Sequence, residues 1–469
     1  MLLSELTNGL VGVLNSVNKD PDIRRVVHDS REILAGDIFC CLKGESTDGH
    51  LYIHDAIEAG AVAILAEEEI NEDVPTFTVE NVRNILPKLS SRIVGNPSRD
   101  LKVVGVTGTN GKTSVVNLLS EILDKSGIST AVIGTLTGTL TTPEAPELQR
   151  ILRNFRETGV EVVCMEVSSH SLVQKRVHET FFSSVAFTNL THDHLDFHNT
   201  MKEYFDAKSL LFDSYFSKNA VIAEDEEYGR LYCKKAISQG MNVEAVSMKD
   251  RNVVFTLENS SFDWRQERLN IPVGGPFAAF NAIIAAEIAL QLGLEIPEIV
   301  SGLTDVSGIN GRFEHIRISK DISAVIDYAH TPSALEELLK GCRKITEGRI
   351  ILVFGCGGDR DPTKRPLMGE VASLGADLSI VTSDNPRMED PEKIIDEILV
   401  GMKKGFPVIE IDRKSAIKRS TSEALPGDLI VIAGRGHEEY QEIKGEMLSF
   451  SDRDALRIAT KNLFPPEEQ

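Results

Sequence analysis

"LKVVGVTGTNGKTSVVNLLSEILDKSG", residues 101–127, is the stretch that decides the fold. An apolar strand runs into a Gly-rich turn and then into an amphipathic helix. In a loop of this kind successive backbone N–H groups can face phosphate oxygens. Lys112 would reach the β/γ-phosphates and Thr113 would hold Mg²⁺. The helix that starts here adds its positive N-terminal end. The strict pattern G-x-x-x-x-G-K-[ST] wants glycine at position 106, where this chain has Val106, with Gly105 and Gly108 on either side. The strand–loop–helix context still makes Gly108, Thr109, Asn110, Gly111, Lys112, Thr113 and Ser114 an expected ATP-binding loop, against a chance Gly-rich turn.

Working outward, further strands are expected at "TAVIG", "VEVVCMEV" and "SVAFTNL", and the block closes near "GINGR". Alternating strands and helices predict a parallel, helix-covered sheet. An earlier block ends near the polar turn "GNPSRD" and holds "DGHLYIHDAIEAGAVAILAEE", a helix followed by a short buried strand. A later block carries "SAVIDYAH", "RIILVFGCGG", "LSIVTSD", "FPVIEI" and "DLIVIAGRG", apolar runs that end in Gly, His or Asp. Ligands of open α/β sheets bind just beyond such strand ends. The expectation is an α/β protein of three domains, 1–98, 99–311 and 312–469. Leu2, Leu3, Leu6, Leu10 and Leu14 predict an amphipathic N-terminal helix.

At 469 residues, with 41% hydrophobic and 26% charged content, the chain has the composition of a globular protein with several cores. No apolar run is long enough to span a bilayer, and the N-terminus has no basic leader, so neither membrane insertion nor a signal peptide is expected. Six scattered cysteines without a C-x-x-C pair suggest a reduced, cytoplasmic protein. A net charge of −21 argues against general nucleic-acid binding, though not against an anionic small substrate.

Other stretches carry chemistry. "VEVVCMEVSSH" ends a strand on Glu166, an acidic group that beside a phosphate loop commonly serves Mg²⁺; the alternative is a solvated strand end. "FTNLTHDHLDFH" gathers His192, His194 and His198 with Asp193 and Asp196. Its spacing is not that of a zinc motif, which leaves one imidazole among oxygen ligands of Mg²⁺, or ordinary hydrogen-bonding histidines. Arg312, Arg360, Arg365, Arg387 and Arg435 lie in loops and suggest recognition of carboxylates or phosphates by forked guanidinium groups. "MKEYFDAKSLLFDSYF", residues 201–216, reads as a helix whose buried stripe includes Lys208. A snorkelling stem is the plain explanation for that lysine.

Taken together and in order, "GTNGKT", "EVSSH", "TNLTHDHLDFH", "DYAHTP" and "DNPRMEDP" resemble the Mur ligase family of ATP-dependent amide-bond-forming enzymes, over nearly the whole chain. The resemblance implies a UDP-binding N-terminal domain, a central P-loop ATPase and a Rossmann-like C-terminal domain. It implies that Asn281, Arg312, Asp327 and His330 complete the ATP site. It assigns Ser30, Glu45, Ser46, Thr47, Thr141, Thr142, Ser168, Gln174 and Arg176 to a UDP-muramoyl-dipeptide. Glu166 and His194 would join Thr113 around Mg²⁺, and Lys208 would be carbamylated by CO₂ to give a further anionic ligand. Lys112, Lys208, His194 and Glu166 form the implied catalytic set. "DNPR", Asp384, Asn385, Pro386 and Arg387, matches the diaminopimelate-adding branch, with Arg360, Gly434 and Glu438 as further pocket positions. Asn199 and Glu179 stand where the family usually has glycine.

The implied reaction, in a monomer, forms an acyl phosphate on the D-glutamate γ-carboxylate of UDP-N-acetylmuramoyl-L-Ala-D-Glu, which an amine of meso-diaminopimelate then attacks. The competing readings are a lysine-adding member, a folylpolyglutamate synthetase-like ligase, and a non-catalytic nucleotide-binding regulator. The last should have lost Lys112, Glu166, His194 or Lys208, and all four are present.

Overall fold

A computed structural model describes residues 1–15, 19–44, 47–138 and 140–461, so Glu45 and Ser46 lie outside the described residues. Three main sheets follow one another along the chain. The middle one has six parallel strands in the spatial order 242–246, 219–223, 184–187, 102–107, 162–166, 130–133. Its central strand, Lys102–Thr107, pairs with Val162–Glu166 on one side and Ser184–Phe187 on the other. Both faces are covered, which is why these strands are nearly unbroken apolar runs. The helix Lys112–Lys125 packs on one face beside Ala278–Gln291, whose many alanines let the two approach closely.

The first sheet has five strands, four of them parallel. The third has six, with Glu314–Arg317 as an antiparallel edge and five parallel strands inward of it. A small antiparallel sheet over residues 254–271 flanks the middle sheet, and its Trp264 is fully buried with the indole N–H donating to Glu287. A hairpin, Tyr440–Ile443 with Glu446–Ser449, follows the last strand of the third sheet.

The structure corrects two helix expectations. The N-terminal helix spans only Leu3–Thr7, because Gly9 adopts φ 70° and turns the chain. Leu14 instead lies in the strand Val13–Asn15, which pairs antiparallel with Thr76–Thr78. The helix at Lys208 spans Met201–Ser209, capped by Thr200, whose hydroxyl accepts from the Glu203 N–H. Beyond it Leu211 and Phe212 are still buried, but Leu210 and Tyr215 are exposed. Glu179 and Asn199 have φ of 62° and 56°, the left-handed region where glycine carries no steric penalty.

Candidate active site

Val106 explains the imperfect loop pattern. It is the penultimate residue of the central strand, fully buried and paired with Glu166, so it belongs to the core and not to the phosphate cradle. The turn proper runs from Gly108 to Gly111, and Lys112 opens the helix. Gly108 has φ 152°, and a Cβ there would lie 1.8 Å from Thr188 Oγ1; Gly111 has φ 86°, and its Cβ would lie 2.7 Å from Asn281 Oδ1. Only glycine fits either place.

Two amines converge on this turn. Lys112 Nζ donates to the carbonyls of Gly108 at 3.0 Å and Thr109 at 2.9 Å. Lys208 Nζ donates to the same Gly108 carbonyl at 2.9 Å and is 1% exposed. Snorkelling is therefore excluded: the head of Lys208 is inside the protein. Burial lowers the pKa of both amines, and Lys112 pushes Lys208 further down, well below the ordinary lysine range. Tyr204, one turn earlier on the helix, presents its ring face 4.7 Å from the Lys208 amine and shares a hydrogen bond with Thr109 Oγ1 at 3.2 Å.

Glu166 ends its strand 1% exposed. Its Oε1 accepts from Thr113 Oγ1 at 3.0 Å and from the Thr135 N–H at 2.9 Å. Thr113 Oγ1 also accepts from Arg312 at 3.1 Å. The Arg312 guanidinium lies 4.3 Å from the Tyr328 ring centre, and its buried Nε has no partner among the described residues. Asp327 accepts from the Phe313 and Ala329 N–H groups, and burial raises its pKa. A cavity of about 610 Å³ opens beside the loop, lined by Asn110, Gly111, Ser114, Asn281, Arg312 and Asp327 among others.

The three histidines of "THDHLDFH" do not converge on one point: His192 turns to the third block, while His194 and His198 both pack against His170 and Tyr204. His192 reaches Asp361 in the third block at 3.3 Å, and His198 is buried against Ser169 Oγ at 2.8 Å. His194, at φ 56°, stands edge-on to His170 and Tyr204. Desolvation, with the nearby charges of Lys208 and Lys112, holds it neutral with a pKa of about 3 despite Asp193. Asp193, unassigned by the sequence reading, is 6% exposed and lies within 4 Å of both His194 and His330. Burial would raise its carboxyl, but those two histidines and Lys364 outweigh it and hold it well below the usual range. Among the described residues no three His, Cys, Asp or Glu side chains form a metal cage. Mg²⁺ seldom needs one, since it is commonly bound by one or two carboxylates plus substrate phosphates.

A second group gathers on the far side of Glu166. Thr142 Oγ1 donates to the Glu166 carbonyl and accepts from the Ser168 N–H, and Ser168 caps the next helix through the Ser171 N–H. Arg176 donates to the Thr142 carbonyl at 3.0 Å and to Gln174 Oε1 at 2.5 Å, and pairs with Glu144, which also holds Arg83 of the first block. Thr141 shares a hydrogen bond with Thr135. Ser30, at the start of a 3₁₀ turn, and Thr47, which is exposed, make no described hydrogen bond to this group.

The third group lies past the strand ends of the last sheet. Asn385 is its hub: Nδ2 donates to Glu438 at 2.8 Å, while Oδ1 accepts from Arg435 at 2.7 Å and from the Glu442 N–H at 2.9 Å. A Cβ on Gly434 would lie 2.6 Å from Asp384 Oδ2, so the two loops touch. Arg387 donates to the Gly358 carbonyl, the Pro386 carbonyl oxygen lies 2.0 Å from where a Cβ on Gly358 would stand, and Arg360 is exposed nearby. Two of the five loop arginines are corrected here. Arg365 is buried between Glu389 and Glu397, and Arg435 is fully buried on Asn385 and the Tyr440 carbonyl. Both brace loops and are not free to meet a ligand.

Family models match three stretches: "Mur ligase family, catalytic domain" over residues 22–96, "Mur ligase middle domain" over 106–289, and "Mur ligase, glutamate ligase domain" over 311–436. A relative from Bacillus licheniformis is 38% identical over 95% of this chain and 96% of its own, and one from Syntrophomonas wolfei is 40% identical over 97% and 98%. The chain belongs to the Mur ligase family. Both relatives are named UDP-N-acetylmuramoyl-L-alanyl-D-glutamate–2,6-diaminopimelate ligase. A solved structure with that name is 31% identical and superposes with a TM-score of 0.69 over 99% of both chains. A folylpolyglutamate synthase from Mycobacterium tuberculosis, 16% identical, shares the fold at a TM-score of 0.60 over 81% of this chain and 95% of its own.

For this Mur ligase, the residue the motif reading passed over is Asp193. Its signal was present, an acidic residue between two histidines, but its partner His330 is remote in sequence. Among the described residues no helix is long and apolar enough to cross a membrane.

Proposed function

We propose that this protein joins 2,6-diaminopimelate to the D-glutamate γ-carboxylate of UDP-N-acetylmuramoyl-L-alanyl-D-glutamate at the expense of ATP, as the relatives' names describe for them. One observation carries the reading: Thr113, in the first turn of the helix that follows the phosphate loop, is held at once by Glu166 from the middle sheet and by Arg312 from the segment leading into the third. That meeting is what a phosphoryl-transfer site assembled between domains requires. We read the domain limits as 98/99 and 311/312, and six buried, unpaired cysteines support a reducing, cytoplasmic setting.

In this reading the cavity takes the nucleoside, with Asn281 toward the base and Asp327 and His330 completing the site. Lys112 leaves the Gly108 and Thr109 carbonyls and, with Arg312 and the loop N–H groups, meets the phosphates. Thr113, Glu166 and neutral His194 offer donors that fit Mg²⁺, which when bound would supply charge neutralisation at the phosphates. Lys208 is disposed to react with CO₂: a desolvated amine is neutral and nucleophilic, and loss of one proton leaves a carbamate. That change would set an anion in place of a neutral amine beside Lys112.

The dipeptide would lie along Thr141, Thr142, Ser168, Gln174 and Arg176, with its uridine end toward Ser30, Glu45, Ser46 and Thr47. A γ-carboxylate oxygen attacks the terminal phosphorus and ADP leaves. The amine nitrogen then attacks the acyl carbon, loses a proton, and phosphate departs as the amide forms. Asp384, Asn385, Arg387, Gly434 and Glu438, with Arg360 at the rim, would hold diaminopimelate, Arg387 meeting its far carboxylate. The isotope test is direct: with ¹⁸O in the γ-carboxylate, one label should appear in the released phosphate. Unlabelled phosphate would rule out the acyl phosphate.

A further inference from the structure

Glu442 has no assigned role, yet the hairpin locks it onto the diaminopimelate loop. The Arg387 N–H donates to the Glu442 carbonyl at 3.0 Å, and the Glu442 N–H donates to Asn385 Oδ1 at 2.9 Å. Its carboxylate lies 3.4 Å from Arg387 Nε. The other end of that guanidinium is occupied, since NH1 donates to the Gly358 carbonyl at 2.6 Å. Arg387 itself sits at φ 51°, so the backbone of this loop is held where the hairpin fixes it. A ligand therefore meets no bare cation at Arg387. It meets an ion pair, with both side chains still partly exposed, at 23% and 35%.

The complement of an ion pair is a zwitterion. We infer that Glu442 is a specificity-determining residue that reads the ammonium of a far-end α-amino-carboxylate while Arg387 reads its carboxylate. This rests on the diaminopimelate reading and deepens it. A side chain ending in ammonium alone is opposed by Arg387. One ending in carboxylate alone must compete with Glu442 for the guanidinium and leaves Glu442 unpaired, which a partly desolvated carboxylate resists. Only an end group carrying both charges satisfies both partners.

The test compares meso-diaminopimelate with 2-aminopimelate, which keeps the far carboxylate but lacks the far amine. Wild-type protein should favour diaminopimelate in kcat/KM by about tenfold, the scale of one close charge pair. Glu442→Gln, which keeps the backbone pairing and the side chain's size, should bring that ratio near one by slowing diaminopimelate and not 2-aminopimelate. Glu442→Ala should move the ratio in the same direction, so the outcome does not depend on one variant folding. A residue that only braces the loop would lower both substrates together. An unchanged ratio in a wild-type enzyme that uses diaminopimelate overturns the role of Glu442 alone. A wild type that turns over neither compound overturns the diaminopimelate reading and this inference with it.

Discussion

At the carbonyl of Gly108 two lysine amines share one acceptor, and that of Lys208 is cut off from water. Lys208 pays for this in stability. Its folded pKa lies well below that of the unfolded chain, so below about pH 10 the unfolded state binds the extra proton and is favoured. Lys208→Met, apolar and of similar length, should raise the melting temperature in CO₂-free buffer while cutting phosphate release at least about 100-fold. A lower melting temperature, or full activity, would remove Lys208 from the mechanism. His178 behaves likewise in a different place. Burial against Tyr215 and Phe216 lowers its pKa to about 4, and its ring Nδ1 has no partner among the described residues. The unfolded state takes up that proton first as pH falls below about 6.5, so stability should decline between about pH 6.5 and 4, by at most about 1.4 kcal/mol per pH unit for this group. Denaturant curves at several pH values should flatten in His178→Phe; an unaltered slope would count against the assignment.

Among the elements, the last described helix is tied down by a buried ion pair. Arg413, on the helix Arg413–Glu423, and Asp452, opening the helix Asp452–Lys461, are both fully buried and doubly bonded, at 2.7 and 2.8 Å. Leaving one charge of such a pair unmatched costs about 3–5 kcal/mol, so Asp452→Ala should show that loss in chemical denaturation. A loss under about 1 kcal/mol would mean water reaches the arginine. This pair was invisible in the sequence because its two members lie 39 residues apart and neither carries a motif. The central strand, phosphate loop and helix were legible because strand period, glycines and helix period are all local. The N-terminal helix was misjudged because a leucine pattern outran Gly9, whose left-handed turn ends it. Arg365 and Arg435 looked like ligand arginines because burial cannot be read from a loop motif.

Over the whole molecule, the candidate site lies at seams. Arg83 with Glu144 joins the first block to the middle one, while Arg312 with Thr113 and His192 with Asp361 join the middle to the third. Motif order in the sequence announced that the pieces belong together, but the partners across each seam are 61, 199 and 169 residues apart and emerge only in three dimensions. A site divided in this way fits a reaction that must keep water from an acyl phosphate, because closing the seams both assembles and dries it. The most direct measurement is phosphate release by the purified protein with ATP, Mg²⁺ and UDP-N-acetylmuramoyl-L-alanyl-D-glutamate. Release should be rapid with meso-diaminopimelate and at least about tenfold slower with lysine, which lacks the carboxylate that Arg387 would hold. Equal rates with the two amino acids, or no release with either, would contradict the account.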